Sequence, residues 1–104
     1  YFYEQAQTLN ELPIVGDVRG SHFMVGIELV ANKESKEGFS ADAESAMRIF
    51  KRCMNRGVVI RPLGNLIVLS PPLTINKQEC DKIISSLHES IEEVSAEFRV
   101  LGLI

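Results

Sequence analysis

Arg61 follows Val58, Val59 and Ile60 and precedes Pro62 in the stretch GVVIRPLGNLIVLSPPL, Gly57 to Leu73. The proline restricts the arginine's own backbone to extended conformations, so the guanidinium is presented from a strand end at the mouth of a turn. Its planar fork could there hold a carboxylate through two parallel hydrogen bonds. The residues alone leave a second reading open, in which Arg61 only closes the strand, facing water or pairing with a local Asp or Glu. Arg19 in DVRGS poses a similar choice between a ligand contact and a structural salt bridge or exposed position. The SPPL segment after the second apolar run either shapes a pocket wall or simply ends strand pairing, since two prolines supply no backbone donors.

Other chemistries find little support. No serine sits in a Gly-x-Ser-x-Gly elbow, and the glycines form neither GxGxxG nor a phosphate loop ending in Gly-Lys-Ser/Thr. Lys33, Lys36, Lys51, Lys77 and Lys82 fall in polar loops or on the predicted outer faces of helices, without the desolvation a Schiff-base lysine needs. Cys53 and Cys80 belong to different helical patterns with no CxxC, and read as two buried thiols. His22 and His88 stand alone, and His88 has no ligand partner at i+4, so no metal site is expected. Taken alone, the chain does not read as an enzyme.

The elements that must position Arg61 follow from periodicity. Residues 2 to about 12 read as a helix end that stops before Pro13. The segment IVGDVRGSHFMVGIELVAN has a period near two, with Gly16, Gly20 and Gly26 along it, and predicts two strands with a glycine kink or one long bent strand. KESKEGFSADAE predicts an exposed loop, with Ser40 or Asp42 as N-cap of the helix that follows. In that helix Ala43, Ala46, Met47, Phe50, Cys53 and Met54 share one face, and Gly57 stands where a C-terminal glycine cap would stand. Val58 to Ile60 predict a short buried strand, turned through PLGN and paired antiparallel with LIVL. Asn76 and Glu79 form a capping-box pattern ahead of Cys80, Ile83, Ile84, Leu87, Ile91 and Val94, which keep the helical period for four turns. The order predicts one α+β domain over residues 1–104: a small, mainly antiparallel sheet with helices packed on one face.

Bulk properties set limits around this picture. The 104 residues are 45% hydrophobic and 24% charged, as in a globular protein. A formal net charge of −3 argues against a nucleic-acid-binding surface. No apolar run approaches the roughly 20 residues of a membrane-spanning helix, and no leader is seen, so a soluble cytoplasmic protein is expected. The chain opens on Tyr1 in mid-pattern, which suggests a piece of something longer.

Together, VGDVRGSHFMVGIELV and NRGVVIRPLGNLIVLSPPLTINKQECDKIISSL, with the spacing between them, resemble the C-terminal small domain of class III aminotransferases. This is the pyridoxal-phosphate-dependent, fold-type I group that includes ω-amino acid:pyruvate transaminases and diaminopelargonate synthase. The resemblance runs from about Val15 to Val94 and rests on Val-Arg-Gly then Gly-Ile-Glu-Leu, Arg-Gly then Ile-Arg-Pro, and Pro-Pro-Leu before an Asp-containing helix. It implies that Arg61 reaches from the small domain to bind the substrate carboxylate and swings aside for substrates that lack one. It also implies that pyridoxal phosphate is bound by a large domain of a homodimeric parent, whose Schiff-base lysine, pyridine-pairing aspartate and phosphate-binding residues have no match here. The isolated chain is then expected to bind no cofactor and to be inactive, its parent moving amino groups between an amine or amino acid and a keto acid. The alternative is a stand-alone module that binds a carboxylate metabolite through Arg61 without catalysis.

Overall fold

A computed structural model describes residues 2–20, 24–70 and 75–104. Its elements run α1 (Phe2–Gln7), a 3-10 turn (Thr8–Glu11), β1 (Val15–Gly20), β2 (Val25–Leu29), a second 3-10 turn (Ala41–Ala43), α2 (Ser45–Asn55), β3 (Arg61–Leu63), β4 (Leu66–Leu69) and α3 (Lys77–Val100). The four strands form one sheet in the order β1-β2-β4-β3, every neighbouring pair antiparallel. This is the expected α+β layer. The segment left open between one bent strand and two strands forms two, β1 and β2.

Strand alternation divides the sheet into two faces. Val18, Val25, Ile27, Leu29, Ile67 and Leu69 are buried beneath the helices. Their neighbours Arg19, Gly26, Glu28, Leu66 and Val68 lie on the other face and are exposed or half-buried. A register shift between Val15 and Asp17 lets Val15 and Val18, three residues apart, both point into the core. Gly16 lies at that bulge, where a Cβ would come within 2.6 Å of Val30 Cγ1.

The core continues through Ile49 and Cys53 of α2 and Leu87, Ile91, Val94 and Phe98 of α3, all fully buried. The capping box of α3 forms as expected: Glu79 N donates to Asn76 Oδ1 at 2.8 Å, and Asn76 N donates to Glu79 Oε1 at 3.2 Å. The helix outruns the predicted four turns and runs to Val100, burying Phe98 near its end. Gly57 ends α2 with a left-handed φ of +82°, as its position predicts.

Three local expectations are corrected. The strand predicted at Val58 to Ile60 lies instead at Arg61–Leu63. The two-residue Gly64-Asn65 turn pairs Leu63 with Leu66, and continuing that register would set Val58 to Ile60 against Leu69 and later residues, where β4 ends. Met47 and Met54, assigned to the buried face of α2, are exposed, because the buried stripe is centred on Ile49 and Cys53. Neither Ser40 nor Asp42 caps α2, which starts at Ser45 after Glu44 in a left-handed conformation. The donor of Ala46 goes instead to Gly64 O in the β3–β4 turn at 3.4 Å.

Among the described residues no helix is long and apolar enough to cross a membrane.

Candidate functional site

Arg61 is the first residue of β3, an edge strand, and its side chain lies on the open face of the sheet. The register aligns Arg61 with Val68, Val68 with Gly26, and Gly26 with Arg19, so the two arginines end one cross-strand row. Pro62 is tolerated beside it because an edge strand has one side free of ladder bonds. The residues before it approach as extended chain, with Val58 and Ile60 buried and Val59 77% exposed.

The fates of the two arginines differ. Arg19 Nη1 donates to Glu28 Oε2 at 2.7 Å and to Asp17 Oδ2 at 3.1 Å, so its fork is engaged within the sheet. The salt-bridge reading therefore describes Arg19. On α2, Arg48 pairs with Glu97, Arg52 with Glu93 and Glu97, and Arg56 with Glu89 and Glu93 of α3. Arg61 is exposed and holds no carboxylate among the described residues. It borders a depression of about 370 Å³ whose other walls include Phe2, Val59, Ile60, Val68 and Ile83. A charged fork beside an apolar wall can orient a small molecule that carries a carboxylate and an apolar body.

The remaining candidates add no reactive group. Cys53 and Cys80 are buried and free, and burial pushes both thiols up, away from the nucleophilic thiolate. Contrary to expectation His88 does have a carboxylate at i+4: its Nδ1 lies 2.7 Å from Glu92 Oε1, one turn on along α3, and its Nε2 faces Glu11, and among the described residues no cluster of three metal-ligating side chains forms. All five lysines are exposed. A lysine that anchors pyridoxal phosphate needs a desolvated or charge-perturbed setting, and this chain's lysines do not fit that group. Of SPPL, Ser70 lines the depression, while Pro71, Pro72 and Leu73, like His22, lie outside the described residues. Sequence reasoning did not find Phe2, Val68 or Ile83 as neighbours of Arg61, because they come from three separate elements. Only the strand register could have pointed to Val68.

Residues 1–91 match the family model for aminotransferase class III. The chain is 42% identical over 92 residues to the adenosylmethionine-8-amino-7-oxononanoate aminotransferase of Methanocaldococcus jannaschii, covering 88% of this chain and 20% of that protein. It is 30% identical over 96 residues to the putrescine–pyruvate aminotransferase of Pseudomonas aeruginosa, covering 92% of this chain and 21% of that protein. The solved omega-transferase of Vibrio fluvialis JS17 superimposes with a TM-score of 0.91 at 32% identity, over 95% of this chain and 24% of that one. The chain thus spans about a fifth of the length of the curated relatives it matches. With the family model matched over most of its length, and the same fold found at about a third identity in solved members, the chain belongs to the class III aminotransferases.

Proposed function

We propose that this chain is the C-terminal, substrate-recognising domain of a class III aminotransferase, and that Arg61 holds the carboxylate of its amino-acid or keto-acid substrate. The observation that carries the proposal is the Arg61 fork on an edge strand beside an apolar depression, with no carboxylate partner among the described residues, whereas Arg19, Arg48, Arg52 and Arg56 are engaged with carboxylates; Arg99, the other arginine without one, is exposed in the last turn of α3 and does not line that depression. An ionised carboxylate gains two charge-assisted hydrogen bonds there, while a simple amine gains none. A single rotation about the long stem also removes the charge from the path of an uncharged substrate.

The complete enzyme uses pyridoxal phosphate as the electron sink for amino transfer. Structural relatives from Vibrio fluvialis described as PLP-bound and PMP-bound support that assignment. The exposed lysines here leave cofactor anchoring to the rest of the polypeptide, and this chain supplies recognition and part of the wall.

The test is Arg61→Ala in the complete enzyme, with kcat/KM measured for a carboxylate-bearing donor and for a simple amine. Losing charge-assisted hydrogen bonds costs about 2–3 kcal/mol, which is about 30- to 140-fold. That loss is expected for the carboxylate donor, with the amine changed no more than a few-fold. An equal loss on both donors overturns the clamp.

A further inference from the structure

Arg61 is presented correctly only while β3 keeps its register, and β3 has little of its own to keep it. The strand is three residues long, lies at the sheet edge beside β4, and has at its centre Pro62, which gives no N–H to the ladder. Upstream, Val58 and Ile60 are buried, but apolar packing is non-directional and does not choose a register. In a hairpin the turn makes that choice, and a slip of one residue would carry Arg61 to the covered face of the sheet.

The turn is tied down through the side chain of Asn65. Its Nδ2 donates to the Phe39 carbonyl at 2.8 Å, which joins the turn to the 30–44 loop. Its Oδ1 accepts from the Ser45 hydroxyl, which joins the turn to the first residue of α2, with the Gly64 carbonyl 3.4 Å away as a second acceptor. Ser45 is 1% exposed, so its hydroxyl has no water to turn to and depends on these two oxygens. The Asn65 carbonyl accepts from Leu29 N at the end of β2 at 2.7 Å. Gly38 marks how closely the amide is held: a Cβ there would come within 2.8 Å of Asn65 Nδ2, so the loop leaves room for the amide by carrying no side chain.

We infer that Asn65, held by Ser45 and Phe39, is the positioning residue for Arg61. It lines no wall of the depression beside Arg61 and acts on substrate only by fixing the turn from which β3 runs back, roughly 10 Å of strand between Gly64 and Arg61. The inference rests on the reading of Arg61 as the carboxylate clamp.

The experiment measures kcat and KM in the complete enzyme for a carboxylate-bearing donor and for a simple amine, in wild type, Asn65→Ala, Arg61→Ala and the double variant. In Asn65→Ala the ratio of kcat/KM, carboxylate donor over amine, should fall about 3- to 10-fold, as the loss of one or two hydrogen bonds predicts. The fall should lie mainly in KM for the carboxylate donor, since the clamp binds ground state and transition state alike. In the Arg61→Ala background the same substitution should leave the ratio within about twofold, because the group it positions is gone. A merely structural role lowers activity on both donors together, so an unchanged ratio in Asn65→Ala overturns the inference. A further fall in the double variant equally overturns it, since Asn65 would then act by another route. Where Asn65→Ala does not fold, Ser45→Ala removes only the buried donor and is judged by the same two outcomes. Failure of the clamp itself is distinct: Arg61→Ala then leaves the ratio unchanged, and the positioning role falls with it.

Discussion

Phe98→Ala should be among the most destabilising single substitutions in this chain. Phe98 is fully buried in the last turns of α3, beyond residue 91, where the family match ends. Its ring centroid lies 4.7 Å from that of Phe39, tilted by 50°, and the Arg48 guanidinium carbon lies 5.5 Å from its centroid. The ring thus ties α3 to the 30–44 loop and to α2 together. Truncating a buried Phe to Ala costs about 3–5 kcal/mol in lost transfer energy and cavity. A chain of this length has a total stability of about 5–15 kcal/mol, so the loss is about a fifth of it or more. Urea denaturation followed by far-UV circular dichroism should show the full loss in the midpoint at constant slope, with a fall in Tm of about 15–30 °C. A cycle of Phe39→Leu, Phe98→Leu and the double variant should return a coupling of about 0.5–1.5 kcal/mol for the ring pair. A loss below about 1 kcal/mol for Phe98→Ala would refute the placement of the ring in the core.

Two further outcomes follow from α3. Asn76→Ala removes the side-chain acceptor of the capping box and should cost about 1 kcal/mol in urea denaturation, while Asn76→Gly costs only a few tenths; equal stability of all three proteins would mean the cap is not formed in solution. The Arg56 guanidinium beside Glu93, helped by Arg52, holds the Glu93 carboxyl below the usual carboxylate range. A lowered value in the folded state means stability that is present above the ordinary carboxylate pKa and lost as pH falls through the lowered one. Glu93 is about half exposed and Arg56 partly so, and the effect is therefore small and screened by salt. The urea midpoints of wild type and Glu93→Gln should differ slightly at pH 7 in low salt and converge in acid or in high salt; a gap that widens in acid contradicts the ion pair.

What the sequence disclosed depends on whether the signal was local. The capping box of Asn76 and Glu79 and the stop at Gly57 are written within a few residues, and both are found. The buried stripe of α2 is not local. Met47 and Met54 are apolar like Ile49, and the docking of α2 on α3 and the β3–β4 turn decides which of them is covered. The same docking aligns Arg48, Arg52 and Arg56 with Glu97, Glu93 and Glu89, a ladder that spacing on either helix alone does not show. β3 lies three residues beyond the most apolar stretch because apolar content is not the same as pairing. Val58 and Ile60 are buried by packing without joining the ladder, and the turn at Gly64 and Asn65 sets which residues pair.

That Arg61 holds no carboxylate among the described residues is itself a consequence of that register. On the open face, Arg19 has Asp17 two residues back on its own strand and Glu28 on the neighbouring strand, and it is neutralised by both. Arg61 has Leu63 at the corresponding place on β3, Val68 directly opposite and Leu66 on the diagonal. No carboxylate stands within reach along the sheet. Had β3 formed at Val58 to Ile60, as apolar content suggested, Arg61 would have fallen in the turn and outside this apolar frame. The three-residue shift moves the arginine from a loop onto a strand row whose other members, Val68, Gly26 and Arg19, cannot neutralise it. A guanidinium kept unpaired beside apolar walls gains most from a carboxylate brought by another molecule, because there is no internal partner to displace first.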